Sequence, residues 1–189
     1  MGLIKLKGIK GHNFIKKSLL VCSGFDNGAS GIIQLLEELR ALKVCRFIFI
    51  GMAGILTEGI SEGSCFAVRK AISGSGAVAF YSEKSELCPG NQEFYDRIKT
   101  GLDIEENVCF SVDTPYRETR PLLKAAIGRG AMLIEMECAA VYAFAGFYGL
   151  SAICLLTAAD DLSNEWRPPN EHNGLFLRQK QLLQRILPL

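Results

Sequence analysis

Two glutamates frame a single methionine, Glu135 and Glu137 around Met136, inside an apolar run that reads LIEMECAAVYAFA over 133–145. Acids at a helix start ordinarily complement the positive end of its dipole, an effect of about 0.3–1 kcal/mol. Such acids are usually solvated, whereas the flanking AMLI and CAAVYAFA hold at least one of these at a buried edge. A buried carboxylate costs free energy unless donors meet it, and the vicinal hydroxyls of a sugar are suitable donors. A further acid, Asp160, ends an apolar run and is followed by Asp161. Adjacent acids after a strand are commonly just a turn. A partly desolvated Asp160 near other carboxylates would instead have its pKa raised and could deliver a proton as a general acid. A sugar-holding glutamate and a proton-donating aspartate on neighbouring strand ends are the parts needed to cleave a glycosidic bond through an oxocarbenium-like transition state. Helix-start electrostatics and sugar chemistry therefore stand as the two readings of this motif.

Something must hold these acids together, and the chain alternates short β-type runs with helical patterns. SLLVCSG (18–24) is a strand, 29–42 a helix, and VCRFIFIGMAG (44–54) a strand. Residues 64–82 read as strand, glycine turn and strand, 91–100 as a helix, and 106–114 as a strand. A helix over 120–127 leads to GAMLIEM as a strand and ECAAVYAFAGFYGL as a helix. Strand 151–159, a polar loop over 160–173 and a helix over 174–186 complete the order. Apolar strands with little in/out alternation imply a sheet covered on both faces, hence a three-layer α/β/α sandwich, read as a single domain over 1–189. Ligands of such folds gather beyond the carboxyl ends of the strands. There lie SGFDNGAS (23–30), GMAGILTEG (51–59), SVDTPYRET (111–119) and AADDLSNEW (158–166).

Composition narrows the function class. With 49% hydrophobic residues the chain can bury a sizeable core, and 21 basic against 20 acidic residues leave no imbalance that would draw it to nucleic acid or an anionic membrane. Its 7 cysteines form no C-x-x-C pair and lie mostly in apolar runs, which suits buried thiols in a reducing cytoplasm. The 2 histidines, His12 and His172, lie far apart, so no metal is expected. No signal-length or membrane-length apolar segment is seen, which points to the cytoplasm.

The set FIFIGMAGIL (47–56), CFSVDTPY (109–116), IEMECAAVYAFA (134–145) and LLTAADDL (155–162) resembles, in order and approximate spacing, the nucleoside phosphorylase family. That family includes purine nucleoside phosphorylases, uridine phosphorylases and methylthioadenosine/adenosylhomocysteine nucleosidases, and the resemblance runs from Ser18 to the C-terminus. It implies a central mixed sheet. It also implies that Met136 and Glu137 hold the ribose, with Glu135 beside them, and that Asp160 protonates the departing purine. Ser111, Val112, Pro115 and Tyr116 would line the base. No cofactor is implied beyond phosphate as co-substrate. The implied partner is a small-molecule nucleoside, and the implied assembly a homo-oligomer, dimer or hexamer, whose subunits complete each other's pockets.

Departures from the family pattern concern the nucleophile. The family begins with an extra strand and a glycine-aspartate-proline loop with a nearby arginine that bind phosphate, and this chain is expected to start too late to contain them. Phe49 stands where phosphorylases place a further arginine, and Met52 where they place serine or threonine. Ala159 precedes the acid where many relatives carry serine. Glycine-rich turns bind anions through backbone N–H groups, which makes Gly24, Gly51 and Met52 the substitute phosphate or nucleophile site. The leading reading is phosphate-dependent cleavage of a purine (deoxy)nucleoside. A nucleosidase using water, of the methylthioadenosine/adenosylhomocysteine or futalosine type, and a noncatalytic nucleoside-binding homologue are the alternatives.

Overall fold

The computed structural model describes residues 2–4, 12–16 and 19–187. In chain order its elements are β1 (Gly2–Ile4), β2 (His12–Lys16), β3 (Leu19–Ser23), α1 (Gly28–Ala41), β4 (Arg46–Ile55), β5 (Cys65–Gly74), β6 (Glu86–Leu87), α2 (Gln92–Leu102), β7 (Glu105–Val112), α3 (Arg120–Gly128), β8 (Leu133–Glu135), α4 (Cys138–Tyr148), β9 (Ser151–Asp161) and α5 (His172–Ile186). The main sheet is mixed, in the order β6-β5-β7-β8-β4-β9, and a further pairing of β5 with β9 bends it back on itself. Strands β4 and β9 run parallel along most of their length, whereas β8 meets β4 antiparallel only at Gly54 and Ile55.

The apolar run that leads to Asp160 is long because β9 is covered on both faces. Ala152, Cys154 and Leu156 point into one core with α1 and α4, while Ile153 and Leu155 point into another with α2 and α5. Both faces exclude water, so neither needs polar residues, and the three-layer arrangement expected from the unalternating strands is the one observed. Helix α4 is buried along Cys138–Ala145. Its small residues let it sit tightly on the sheet, and its one internal hydroxyl, Tyr142, donates to the Val68 carbonyl and accepts from the Cys154 N–H at 3.1 Å. No helix among the described residues is long and apolar enough to cross a membrane.

Two sequence expectations need correction. The second strand expected within 64–82 does not form: Ala77–Phe80 is a single 3-10 turn, with Val78 buried and Phe80 exposed. The reason is pairing, since β5 already has β7 on one edge and β6 on the other over the rows next to this turn. Ahead of the first expected strand lie β1 and β2, which join β3 in a separate three-stranded antiparallel sheet. The strand expected over 18–24 corresponds to β3, and Ser18 lies outside the described residues. The thiols also divide: Cys109, Cys138 and Cys154 are buried, Cys22 and Cys65 are partly so, and Cys45 and Cys88 are exposed.

The sheet carries one irregularity that matters for the site. Register between β4 and β9 runs evenly to Ala53↔Ala158 and then jumps to Ile55↔Asp161. Ala159 and Asp160 are therefore bulged out opposite Gly54, and bulges re-aim side chains in this way. Gly54 is glycine because space is absent: a β-carbon there would overlap Leu162 Cδ1 and lie 3.0 Å from Ile134 Cγ2 and 3.3 Å from Asp160 Oδ1. Gly54→Ala is accordingly expected to cost about 1–3 kcal/mol through overpacking. Urea unfolding of the two proteins checks this, and an unchanged midpoint would mean that Leu162 and Ile134 yield freely.

Candidate active site

Glu135 ends β8 and is 6% exposed. Its carboxylate accepts the Ser111 hydroxyl from β7, and it accepts the backbone N–H groups of Glu137 and Cys138 at 2.7 Å each. Ser111 in turn accepts the Ala139 N–H at 2.9 Å. The first turn of α4 thus has its orphan donors met by a strand-end carboxylate and a strand hydroxyl, in place of the adjacent side chain that commonly caps a helix. Cys109 Sγ stands 3.6 Å from Glu135, and with Cys138 Sγ these ligand-type atoms lie within 4.8 Å of one another. Burial pushes the Cys109 thiol up to about 12 and the Cys138 thiol well up, so both pack as neutral apolar groups.

Glu137, the residue just before α4, acts at a different helix. Its Oε1 accepts the Gly28 N–H at 2.5 Å, so the carboxylate sits on the N-terminal end of α1 and joins the loop after β3 to the end of β8. Gly28 has φ +84°, a backbone conformation that a side chain would strain, and Met136 Cε lies 3.6 Å from where its β-carbon would be. Burial, and then the neighbouring Glu135 charge, raise the Glu137 pKa, against the lowering effect of the Gly28 and Met136 N–H groups. The helix-start reading of the sequence therefore holds in a form it did not anticipate, with the two acids serving two different helices. A carboxylate has about four acceptor positions, so the Gly28 and Met136 N–H groups leave Glu137 with capacity for hydroxyl donors.

Asp160 stands on the bulge, with Gly54 between it and Ile134 of β8. Two strand spacings, roughly 9–10 Å, separate those positions across the sheet. Its Oδ2 accepts the indole N–H of Trp166 at 2.9 Å. That contact is set up by Asp161, which bridges to Arg167 through both backbone hydrogen bonds at 2.9 Å and through an ion pair, and also accepts the Ser163 N–H and hydroxyl. These contacts hold the Asp161 pKa below its ordinary value, the Ser163 hydroxyl and N–H first and Arg167 after them. Asp161 closes the loop and Trp166 lands on Asp160. Glu118, half-buried after the short turn Pro115–Arg117, is raised to about 7 by burial and then by the charge of Asp160.

The four residues expected along the base divide by environment. Ser111 and Val112 are inside, the hydroxyl committed to Glu135 and the valine packed with Leu56, Ile72 and Phe110. Pro115 is exposed, and Tyr116 is 100% exposed. Among the three residues assigned to the nucleophile, Gly24 is exposed at the end of β3, while Gly51 and Met52 are half-buried in β4. Phe49 lies over Gly51, its ring 2.7 Å from where a β-carbon of Gly51 would stand, so the ground beside that turn is apolar. Sequence reasoning missed Gly28, Glu118 and Trp166. Trp166 had a signal, being the only tryptophan of the chain and inside the loop that follows Asp160. The other two are defined only by contacts across the fold.

A mixed sheet with acids at the ends of two strands that flank β4 fits the class to which comparison also leads: residues 11–185 match the phosphorylase superfamily, and the chain belongs to that family. Among curated relatives, a purine nucleoside phosphorylase DeoD-type of Bacillus cereus is 32% identical over 136 residues, 69% of this chain and 58% of the relative. The protein of the same name from Bacillus cytotoxicus is 34% identical, and that from Bacillus thuringiensis (strain Al Hakam) 32%, with the same coverage. The chain thus spans 58% of the length of these relatives.

Two outcomes follow from the geometry. Glu135→Ala leaves the Ser111 hydroxyl and two backbone N–H groups without their acceptor, and it is expected to lower unfolding free energy by about 3 kcal/mol, read by urea denaturation. Glu118 concerns pH. Its folded pKa of about 7 exceeds the ordinary 4.5, so the folded chain holds a proton that the unfolded chain releases in that window. Stability is therefore expected to fall as pH rises from about 4.5 to about 7, and Glu118→Gln to flatten that slope. Parallel stability curves for the two proteins over pH 4–8 would contradict the assignment.

Proposed function

We propose that the site cleaves the N-glycosidic bond of a purine (deoxy)nucleoside, with phosphate as the attacking nucleophile. The observation that carries this reading is the placement of two acids at strand ends, Glu137 held by the Gly28 N–H at the start of α1 just after β8, and Asp160 bulged out of β9 with β4 between the two strands. In this reading Met136 packs against the sugar and Glu137 accepts its hydroxyls. Asp160 delivers a proton to the purine, which is a poor leaving group until protonated. Positive charge growing at the anomeric carbon is stabilised by the nearby carboxylate and by the incoming anion. Trp166 orients Asp160, and Ser111 acts at one remove by holding Glu135. A homo-oligomer belongs to the same proposal, and the exposed rings of Phe80 and Phe147 support it.

Phe49 favours a second reading, in which water replaces phosphate. Its ring stands over Gly51, where a phosphate would meet carbon rather than charge. A neutral nucleophile needs no anion cradle.

Release of free base from inosine, guanosine, adenosine, methylthioadenosine and a futalosine-type nucleoside, each with and without phosphate, separates these readings. Phosphate-dependent release supports the first and phosphate-independent release the second, while nucleoside binding without release identifies a noncatalytic homologue. On the substrate that is cleaved, Asp160→Asn is expected to lower kcat by about 10²–10⁴-fold with KM little changed. Glu137→Gln is expected to lower kcat/KM by roughly 10–100-fold, with losses in both binding and turnover. Full activity in both variants would place the site elsewhere.

A further inference from the structure

The two oxygens of Asp160 have different surroundings. Oδ1 lies on the sheet side, 3.3 Å from where a β-carbon of Gly54 would stand, a point that Leu162 Cδ1 and Ile134 Cγ2 also crowd. Oδ2 accepts the indole N–H of Trp166 at 2.9 Å, so it is the oxygen turned toward the loop and the one left to meet a base. A base nitrogen that takes a proton from Oδ2 must come within about 3 Å of it, the length of an ordinary hydrogen bond. That nitrogen and the indole nitrogen then share one neighbour and lie no more than about 6 Å apart, the range in which aromatic rings meet.

Trp166 is held in this position without being packed away. It is 65% exposed and belongs to none of the apolar clusters of the core. Yet the loop that carries it is pinned on both sides. The Asn164 amide donates to Glu58 at 3.3 Å, and Arg167, the next residue after the tryptophan, is bridged to Asp161. Further along, Glu62 accepts the Asn170 N–H at 3.0 Å, the Asn170 side-chain amide at 2.7 Å and the Glu171 N–H at 3.2 Å. An indole on a tethered loop has little freedom left to lose when a ligand covers it. Tyr116, the aromatic expected along the base, is by contrast 100% exposed.

We propose that Trp166 is a specificity-determining residue of the site, whose indole stacks on the leaving base and selects two-ring bases over single-ring ones. This role rests on the cleavage reading given above, because it is the proton of Asp160 that brings the base to the indole. Two fused rings overlap an indole more fully than a pyrimidine placed at the same oxygen can. Holding Asp160 requires only the indole N–H, whereas selecting the base requires the ring. Trp166→Phe removes the first and keeps an aromatic ring, and Trp166→Ala removes both.

Trp166 is the only tryptophan of the chain, so emission excited beyond the tyrosine band reports this ring alone. Titration of the full chain with hypoxanthine, adenine, uracil and ribose is expected to give saturable quenching by the two purine bases, quenching by uracil only at concentrations about tenfold higher or more, and none by ribose. In initial-rate assays on the purine nucleoside that is cleaved, Trp166→Ala is expected to raise KM by roughly 5–150-fold, and Trp166→Phe to keep KM within about threefold while lowering kcat. Equal losses in the two variants would reduce Trp166 to a hydrogen bond on Asp160 and overturn the proposal. So would quenching by uracil as effective as that by the purines, or emission that no purine base changes. The two readings fail separately: saturable quenching by purine bases with no nucleoside cleaved ends the cleavage reading alone, and cleavage with unchanged emission ends the stacking role alone.

Discussion

The candidate site depends on one buried carboxylate. Glu135 lies at the point where β7, β8 and the start of α4 meet, and its oxygens take a hydroxyl from the first, and two N–H groups from the third. A charge at 6% exposure is tolerated only because these donors replace water. The consequence is positional. With α4 anchored at its first turn, the residues between strand and helix have no freedom left, and Met136 and Glu137 are delivered to the α1 end at a fixed height above the sheet.

A second constraint places the acid of the opposite strand. Parallel pairing of β4 and β9 would carry Asp160 smoothly along the ladder, but the bulge opposite Gly54 turns it out, and the Asp161–Arg167 bridge then folds the following loop over it. Neighbouring residues of the same type consequently do different jobs. Asp161 is held as an anion by Ser163 and Arg167, while Asp160 faces an indole N–H and the raised Glu118. Division of labour between adjacent carboxylates is how one short segment combines structure with proton chemistry.

Most of the fold was legible because its strands and helices differ so plainly in pattern. An unalternating apolar run such as 152–158, bounded by turn residues and read as a strand, implies cover on both faces, and that reading led to the layers observed. Residues 77–80 misled because an apolar pattern records burial and not pairing: Val78 is buried, yet the edge it would have needed is taken. The early hairpin went unseen because short polar-flanked runs such as His12–Lys16 carry too few apolar positions to show a period.

By itself, the sequence determined the class of fold, the order of its elements and the acids worth attention, since periodicity and residue type are local properties. Glu135, Glu137 and Asp160 stood out as charges set in apolar runs, and a charge in such a setting must find donors wherever it lies. Tertiary structure alone decided which donors. Gly28 lies 109 residues from Glu137, and Ser111 lies 24 from Glu135, separations at which no local pattern records a contact. It also decided that Tyr116 faces outward, that Phe49 covers Gly51 and that Asp160 is turned out of the β4/β9 ladder opposite Gly54, because each of these follows from how the chain packs and registers rather than from what any one strand contains.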